Sequence, residues 1–223
     1  QDDVDTTSLI GLWNFNGSTR DESGYDNDGN DGTHTAQLNE GDTGNEYTKD
    51  NQVVLQIEGG TKFVTIPNKT HLVTGTPNVL NFSGMFDIFL RFENEGVPDN
   101  VEFVFSKRSA TTGIEIAYDA SHHILVHITS SSSTQTITGT TDTEGIMPLV
   151  RVRRNAAGLI QLFVDGTEEG TAVTDTTDLT VTGNGFFGAD YQGNGVGDDL
   201  HLAMLRIYKD NLSDKDAFTL LSH

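Results

Sequence analysis

Apolar residues recur at every second position in many short runs of this chain. The spacing occurs at Phe86, Ile88, Leu90 and Phe92; at Val101, Phe103 and Phe105; at Ile114, Ile116 and Tyr118; at Ile124, Val126 and Ile128; at Val150 and Val152; at Ile160, Leu162 and Val164; and at Leu200, Leu202 and Met204. Because successive side chains of a strand point to opposite faces, each run predicts a strand with one buried face. Clusters of Gly, Asn, Asp, Thr and Ser separate the runs, which is typical of antiparallel sheets. The pattern therefore predicts an all-β domain of two antiparallel sheets packed as a sandwich.

Turn signals lie between these runs. Asp165-Gly166 predicts a tight hairpin, because Gly accepts positive φ without a steric penalty. Segments 155–158 and 119–122 have the composition of short hairpin loops.

One helix is predicted, at the end of the chain. Ser213 can cap it, with Asp216 three residues later as a partner, and Leu212 and Ala217 occupy the hydrophobic-staple positions.

Length and charge limit the functions that this chain can have. Its 223 residues suit one large sandwich, and its 33 acidic against 13 basic residues give a formal net charge of −20. Such a charge repels phosphate backbones and anionic lipid, so we expect no nucleic-acid partner and no membrane insertion. The absence of Cys excludes disulfides and thiolate sites. We interpret Gln1 as a processed or trimmed N terminus and expect an extracellular, cell-surface or virion-exposed location.

Four blocks of sequence resemble a known family. Gly11–Asn16 with its Trp13 and Phe15 precedes the polar loop 21–29, then come Phe63–Pro67, the stretch 150–166 that ends in Val-Asp-Gly, and Leu205–Asp214. In this order they resemble laminin-G-like and pentraxin-related domains of the concanavalin A-like lectin and glucanase superfamily. The resemblance implies a jelly-roll sandwich over residues 9–223 after an N-terminal tail, 1–8. Ala203 stands where family members have Asp, so no metal site transfers directly to that strand.

Catalytic patterns are weak, and we expect no enzyme and no catalytic residues. The carboxylate spacing of sandwich glucanases is absent, and we predict Glu115 and Asp119 to be two solvent-facing acids near a turn. Arg151 and Arg153 share a strand face, and with His127 on a nearby strand they would suggest a polysaccharide lyase. A solvated strand face explains the two arginines equally well.

Two acidic loops are candidate calcium sites, since calcium prefers oxygen ligands. The first loop offers Asp26, Asp28 and Asp31, and the second offers Asp190, Asp198 and Asp199. An EF-hand is excluded, because position 31 is Asp where the sharp turn needs Gly. Calcium is the one candidate cofactor, and a solvated acidic loop is the alternative for both segments.

The Gly-rich segment 183–199 is a candidate glycan site. Tyr191 is predicted to stack on a sugar, with Asn184, Gln192 and Asn194 as polar partners, whereas Phe186 and Phe187 are predicted to end a core strand.

The function that the sequence favours is a non-catalytic binding or adhesion module that recognises a glycan or a protein, with calcium as a candidate aid. The alternative is a structural virion or surface-layer component, a capsid decoration, tail or sheath protein built on the same sandwich. A polysaccharide lyase or glycosidase is the third reading. The expected partners are a glycan, a surface or virion protein, or further copies of the chain.

Overall fold

The computed structural model describes residues 8–15, 20–23, 25, 37–38, 48–49, 52–57, 63–66, 80, 82–94, 100–194 and 200–221. The strands within these ranges are β1 (Leu9–Trp13), β2 (Gln37–Leu38), β3 (Thr48–Lys49), β4 (Gln52–Val53), β5 (Leu55–Ile57), β6 (Val64–Ile66), β7 (Phe86–Asn94), β8 (Glu102–Arg108), β9 (Gly113–Tyr118), β10 (His123–Ser130), β11 (Ser133–Asp142), β12 (Leu149–Arg154), β13 (Leu159–Val164), β14 (Thr167–Thr174), β15 (Gly185–Phe187) and β16 (Leu200–Tyr208). One helix, α1 (Asp214–Leu221), follows them.

The strands form two large antiparallel sheets. The eight-stranded sheet has the order β14-β13-β12-β7-β16-β5-β2, and β1 also pairs with β16. The six-stranded sheet has the order β11-β10-β9-β8-β15-β6, and β3 and β4 form a small pair of their own. Consecutive strands pair in β8–β11 and in β12–β14, whereas β7, β16 and β5, and likewise β8, β15 and β6, come from distant parts of the chain, as in a jelly roll. The predicted all-β, two-sheet antiparallel sandwich with a short C-terminal helix is confirmed.

The core lies between the two sheets and is built from the alternating residues. Most of the predicted inward positions are buried in one cluster, including all those of β7, β9, β10, β12 and β13. Trp13 and Phe15 are fully buried there, as predicted, and both pack edge-on against Phe187. Such aromatic pairs add stabilisation to the burial of apolar area.

Phe103 and Met204, which were predicted to face inward, face outward because β-bulges shift the alternation, and Val101, which precedes β8, is half-buried outside the core cluster. The register shifts between Phe103 and Phe105 in β8 and between Leu202 and Met204 in β16. An extra residue in one strand moves every later side chain to the opposite face. Phe103 is therefore half-buried outside the core, and Met204 packs against an outer cluster. The prediction was wrong for these three positions.

Helix α1 covers part of the outer face of the eight-stranded sheet. Ser213 caps it: its Oγ accepts from the Asp216 N–H at 3.1 Å and donates to the Asp216 carboxylate at 2.5 Å. Leu212 and Ala217 pack with Phe89 and Tyr208 in the outer cluster, which confirms the predicted cap and staple. Among the described residues, no helix has the length and apolar character needed to cross a membrane.

Glu169 in β14 closes the gap to β11, the edge strand of the other sheet. Its carboxylate accepts from Thr140 N at 2.7 Å, Thr141 N at 3.1 Å and the Thr141 hydroxyl. Desolvation raises the pKa of Glu169, but hydrogen bonds to its ionised form outweigh this and hold the pKa below its ordinary value. The carboxylate thereby occupies two N–H groups that an open edge would offer to another strand.

Candidate functional site

A surface pocket of about 630 Å³ lies in the six-stranded sheet where β8 ends and where β9 and β15 begin. One wall is residues 108–112, the end of β8 and its turn into β9, and the other is residues 180–184, which lead into β15. Phe186 and Tyr191 complete the lining. Apart from Arg108 and a few apolar groups, these walls present Ser and Thr hydroxyls and the Asn184 amide. We call this site the β8–β9 pocket.

Beside the β8–β9 pocket, one row of side chains runs across the outer face of the six-stranded sheet. The register pairs Phe186 with Ser106, Ser106 with Glu115, Glu115 with His127, and His127 with Thr136. The row therefore places a carboxylate between a serine and a histidine.

Glu115 is the centre of the hydrogen-bond network behind the pocket. It is fully buried and accepts from Arg108 Nη1 at 2.6 Å, Ser106 Oγ at 3.0 Å and Tyr191 N at 3.2 Å. The prediction of a solvent-facing Glu115 was wrong, because Arg108 and the loop that carries Tyr191 cover it. The buried carboxylate joins β8, β9 and that loop. Asp119 instead orders its own turn, accepting from Ser121 N and His123 N.

Arg108 stacks on Tyr191, with Cζ 4.6 Å from the centroid of the ring. A guanidinium at this distance is attracted to the face of the ring. One face of Tyr191 is thus covered by Arg108.

The predicted glycan-binding residues fall into two groups. Tyr191 and Asn184 line the β8–β9 pocket, whereas Gln192 and Asn194 are exposed in the adjoining loop. Gln192 Nε2 donates to the Tyr191 hydroxyl at 2.9 Å, and Asn194 Nδ2 donates to Gln192 Oε1 at 3.2 Å. These two side chains order the loop that holds Tyr191.

Phe186 and Phe187 lie in the short strand β15, as predicted, and point to opposite faces. Phe187 is fully buried in the core, whereas Phe186 is half-buried beside the pocket and meets Phe63 edge-on.

Lys107 holds the second wall of the pocket from the inside. Its side chain is buried, and Nζ donates to the Gly183 carbonyl oxygen at 2.6 Å. Burial lowers the pKa of Lys107 to about 8. Neither Lys107 nor Arg108 stood out in the sequence. A Lys-Arg pair in a strand carries no signal until the bulge and the contact with residues 180–184 are known.

The calcium prediction concerns residues that lie mostly outside the described ranges: Asp26, Asp28, Asp31, Asp198 and Asp199. Asp190 is described, and its carboxylate accepts from Gln192 N, Asn194 N and Asn194 Nδ2 at 2.9–3.0 Å. Within the ranges given above, no three His, Asp or Glu side chains are grouped as metal ligands.

The residues considered for a lyase do not come together. Arg151 lies in the eight-stranded sheet, where Nε and Nη2 form a fork on the buried Asp87 carboxylate at 2.8 and 2.7 Å. His127 lies on the outer face of the six-stranded sheet, so both sheets separate it from Arg151 and Arg153. The placement of His127 on a strand near these arginines was wrong.

No protein-family model matches this chain, and no curated protein matches it. Solved structures with the same fold include the botulinum neurotoxin serotype D binding domain, with a TM-score of 0.71 and 12% identity over 97% of this chain and 51% of that one. The serotype C1 binding domain has a TM-score of 0.70 and 16% identity over 97% of this chain and 52% of that one. The binding domain of botulinum neurotoxin DC gives 0.70 and 15% over 97% and 52%. This chain therefore spans about half the length of those proteins, and the likeness is one of fold.

Proposed function

We propose that this chain is a non-catalytic module that binds glycans through the β8–β9 pocket at an extracellular or cell-surface location. The observation that carries the proposal is the pocket itself. A cavity walled by hydroxyl and amide groups, with an aromatic ring braced by an arginine, has the chemistry that sugars need. Sugars present hydroxyl groups for hydrogen bonds and C–H faces for aromatic contact.

Proteins that share the fold support a binding function. The botulinum neurotoxin DC binding domain forms complexes with SialylT and with rat synaptotagmin II, and cell entry of botulinum neurotoxin type C depends on interaction with two ganglioside molecules. This chain spans about half of each of these proteins, so their ligands cannot be assigned to it. The proposal of a glycan site therefore rests on the pocket of this chain.

The arrangement of Ser106, Glu115 and His127 favours binding over catalysis. In a nucleophilic triad the histidine lies between the serine and the acid, so that it can take the serine proton. Here the carboxylate lies between the other two, and Ser106 Oγ donates directly to it at 3.0 Å. A serine held in this way has no histidine beside it to take its proton. Glu115 is also fully buried beneath Arg108 and Tyr191, away from the pocket's solvent.

A glycan array tests the proposal with one blocking variant and one matched control. Thr111 is exposed on the pocket rim, and Thr111→Trp places a large ring there without changing the Arg108–Glu115 ion pair. Thr171 is exposed in β14 of the other sheet, so Thr171→Trp adds the same ring far from the pocket. We expect wild type and Thr171→Trp to bind the same glycans and Thr111→Trp to lose them. No binding by wild type, or unchanged binding by Thr111→Trp, would contradict the proposal.

A further inference from the structure

The geometry of the pocket points to a sugar that carries a carboxylate, a sialic or a uronic acid, with Arg108 as the residue that selects it. This inference rests on the proposed glycan-binding function and names the class of ligand. Three observations support it: Arg108 as the charged residue of the lining, the donors of Arg108 that have no described acceptor, and the hydroxyl groups whose hydrogens are already used.

Arg108 gives the β8–β9 pocket its charge. Of the described residues that line the pocket, Arg108 alone carries a formal charge. The whole chain carries a formal charge of −20. Salt screens distant acidic residues over about 8 Å at physiological ionic strength, so a ligand inside the pocket interacts mainly with the groups that touch it. Within contact range Glu115 balances the charge of Arg108 and Asp178 accepts from Thr180, so a preference for an anion comes from the directed donors of Arg108 and not from a net positive charge.

The guanidinium of Arg108 is held in place and keeps donors for a ligand. Nη1 donates to Glu115 at 2.6 Å, and the stack on Tyr191 fixes the plane of the group. Nη2 has no acceptor within the described part of the chain, and 18% of the side chain is exposed. Nε is buried and likewise has no acceptor among the described residues. A ligand oxygen at Nη2 would therefore meet N–H donors that no protein group uses.

Three hydroxyl groups of the pocket have their hydrogens committed to the protein. Ser109 Oγ donates to Thr112 O at 3.2 Å, Thr112 Oγ1 donates to Asp178 O at 3.3 Å, and Thr180 Oγ1 donates to the Asp178 carboxylate. A hydroxyl whose hydrogen is used can still accept. Ser109 Oγ already accepts from Thr111 N at 3.3 Å and Thr112 N at 3.2 Å, so Thr112 Oγ1 is the oxygen offered to a ligand hydroxyl, while Arg108 donates to a ligand anion.

A sugar acid has both kinds of group. A ring hydroxyl can donate to Thr112 Oγ1, and the carboxylate can accept from Arg108. A neutral sugar would offer Nη2 of Arg108 only an uncharged acceptor. Charge-assisted hydrogen bonds of guanidinium to carboxylate are short and strong, and the planar carboxylate matches the planar guanidinium.

The test is a set of titrations with paired sugars. Sialyllactose is compared with lactose, trigalacturonate with its methyl ester, and sulfated lactose tests a different anion. Arg108→Gln alone leaves Glu115 buried without its cation, which can unfold the domain. The variant used is therefore Arg108→Gln/Glu115→Gln, which removes both charges. Arg153→Gln, on the other sheet, controls for the loss of one arginine, and the melting temperature checks the fold of each variant.

We expect wild type and Arg153→Gln to prefer one of the two acidic sugars to its neutral partner, and the sugar bound identifies the source of the carboxylate. The double variant should lose that preference, because its affinity for the acidic sugar should fall about tenfold to hundredfold more than its affinity for the neutral one. Equal binding of acidic and neutral sugars, stronger binding of sulfated lactose, or a preference that survives in the double variant would overturn the inference while glycan binding stands. No binding of any of these sugars or of the array would overturn the proposed function as well.

Discussion

Replacing Lys107 with methionine should change how the stability of this protein depends on pH. Lys107 has an ordinary pKa of 10.5 when unfolded and about 8 in the folded protein, where burial disfavours its charged form. Between these two pH values the unfolded chain holds a proton that the folded protein has released. Unfolding then takes up a proton, so the free energy of unfolding rises with pH over this interval. Below it both states are protonated and the contribution is constant.

The size of the effect follows from the same two values. A fall from 10.5 to about 8 corresponds to about 3 kcal/mol, at about 1.4 kcal/mol for each pKa unit. At neutral pH, Lys107→Met removes the cost of burying the charged amine, which raises the free energy of unfolding. It also removes the hydrogen bond to Gly183 O, which is worth about 1.5–3 kcal/mol. The two changes nearly cancel. Toward pH 11 Lys107 is neutral in the folded protein and largely neutral in the unfolded chain, so the cost of burying its charge disappears. The free energy of unfolding of the wild type should then rise by about 3 kcal/mol relative to that of the variant.

The assay is urea unfolding of both proteins at several values between pH 7 and about pH 11. The difference between the two curves isolates Lys107 from the other groups that titrate in this range. The exposed Lys215, changed to Met, controls for the loss of one positive charge, and at pH 7 its effect should stay within about 0.5 kcal/mol. Parallel pH profiles of wild type and Lys107→Met would refute the reasoning, since they would mean that Nζ remains hydrated.

Three further predictions concern the core, the edge of the sandwich and calcium. Trp13→Ala should lower the free energy of unfolding by about 3–5 kcal/mol in denaturant titrations. Trp13→Phe should lower it by less, because the buried Nε1–H that it removes has no acceptor among the described residues. An unchanged melting temperature in Trp13→Ala would contradict the position of β1. Glu169→Gln should lower the free energy of unfolding by about 1.5–3 kcal/mol at pH 7. The difference from wild type should shrink in acid, because the lowered pKa of Glu169 stabilises the fold above the ordinary carboxyl pKa and this stabilisation is lost as pH falls through the folded pKa. A difference that does not depend on pH would contradict this. If calcium binds the acidic loops, it should raise the melting temperature more than magnesium or sodium at matched ionic strength, and Asp28→Ala or Asp198→Ala should abolish the rise; an equal response to the three salts would mean simple screening.

Part of the candidate site could be predicted from the sequence. Tyr191 and Asn184 stand in a Gly-rich polar segment with few other roles open to them, and both line the pocket. Arg108 and Lys107 could not be predicted in the same way. Their importance comes from contacts across the fold, such as the bond between Lys107 and Gly183, which are 76 residues apart.

Alternation along the chain determined the class of fold and most of the core. A strand residue points to the same face as the residues two positions before and after it, so the buried face of a strand can be predicted from its own segment. The side chains of Ile114, Ile116 and Tyr118 face the core for that reason. The hydrophobic effect acts on each apolar residue in the same direction wherever its strand lies in the sheet.

Only the tertiary structure decided where that rule fails and where the pocket forms. A β-bulge arises from pairing with a neighbouring strand, so the outward turn of Phe103 could not be predicted from its own segment. A buried carboxylate is stable only when partners arrive from elsewhere, and Glu115 is buried because Arg108 in β8 and the loop of Tyr191 both reach it. Local pattern determines which way a side chain faces, whereas the burial of a charge depends on residues that only folding brings together.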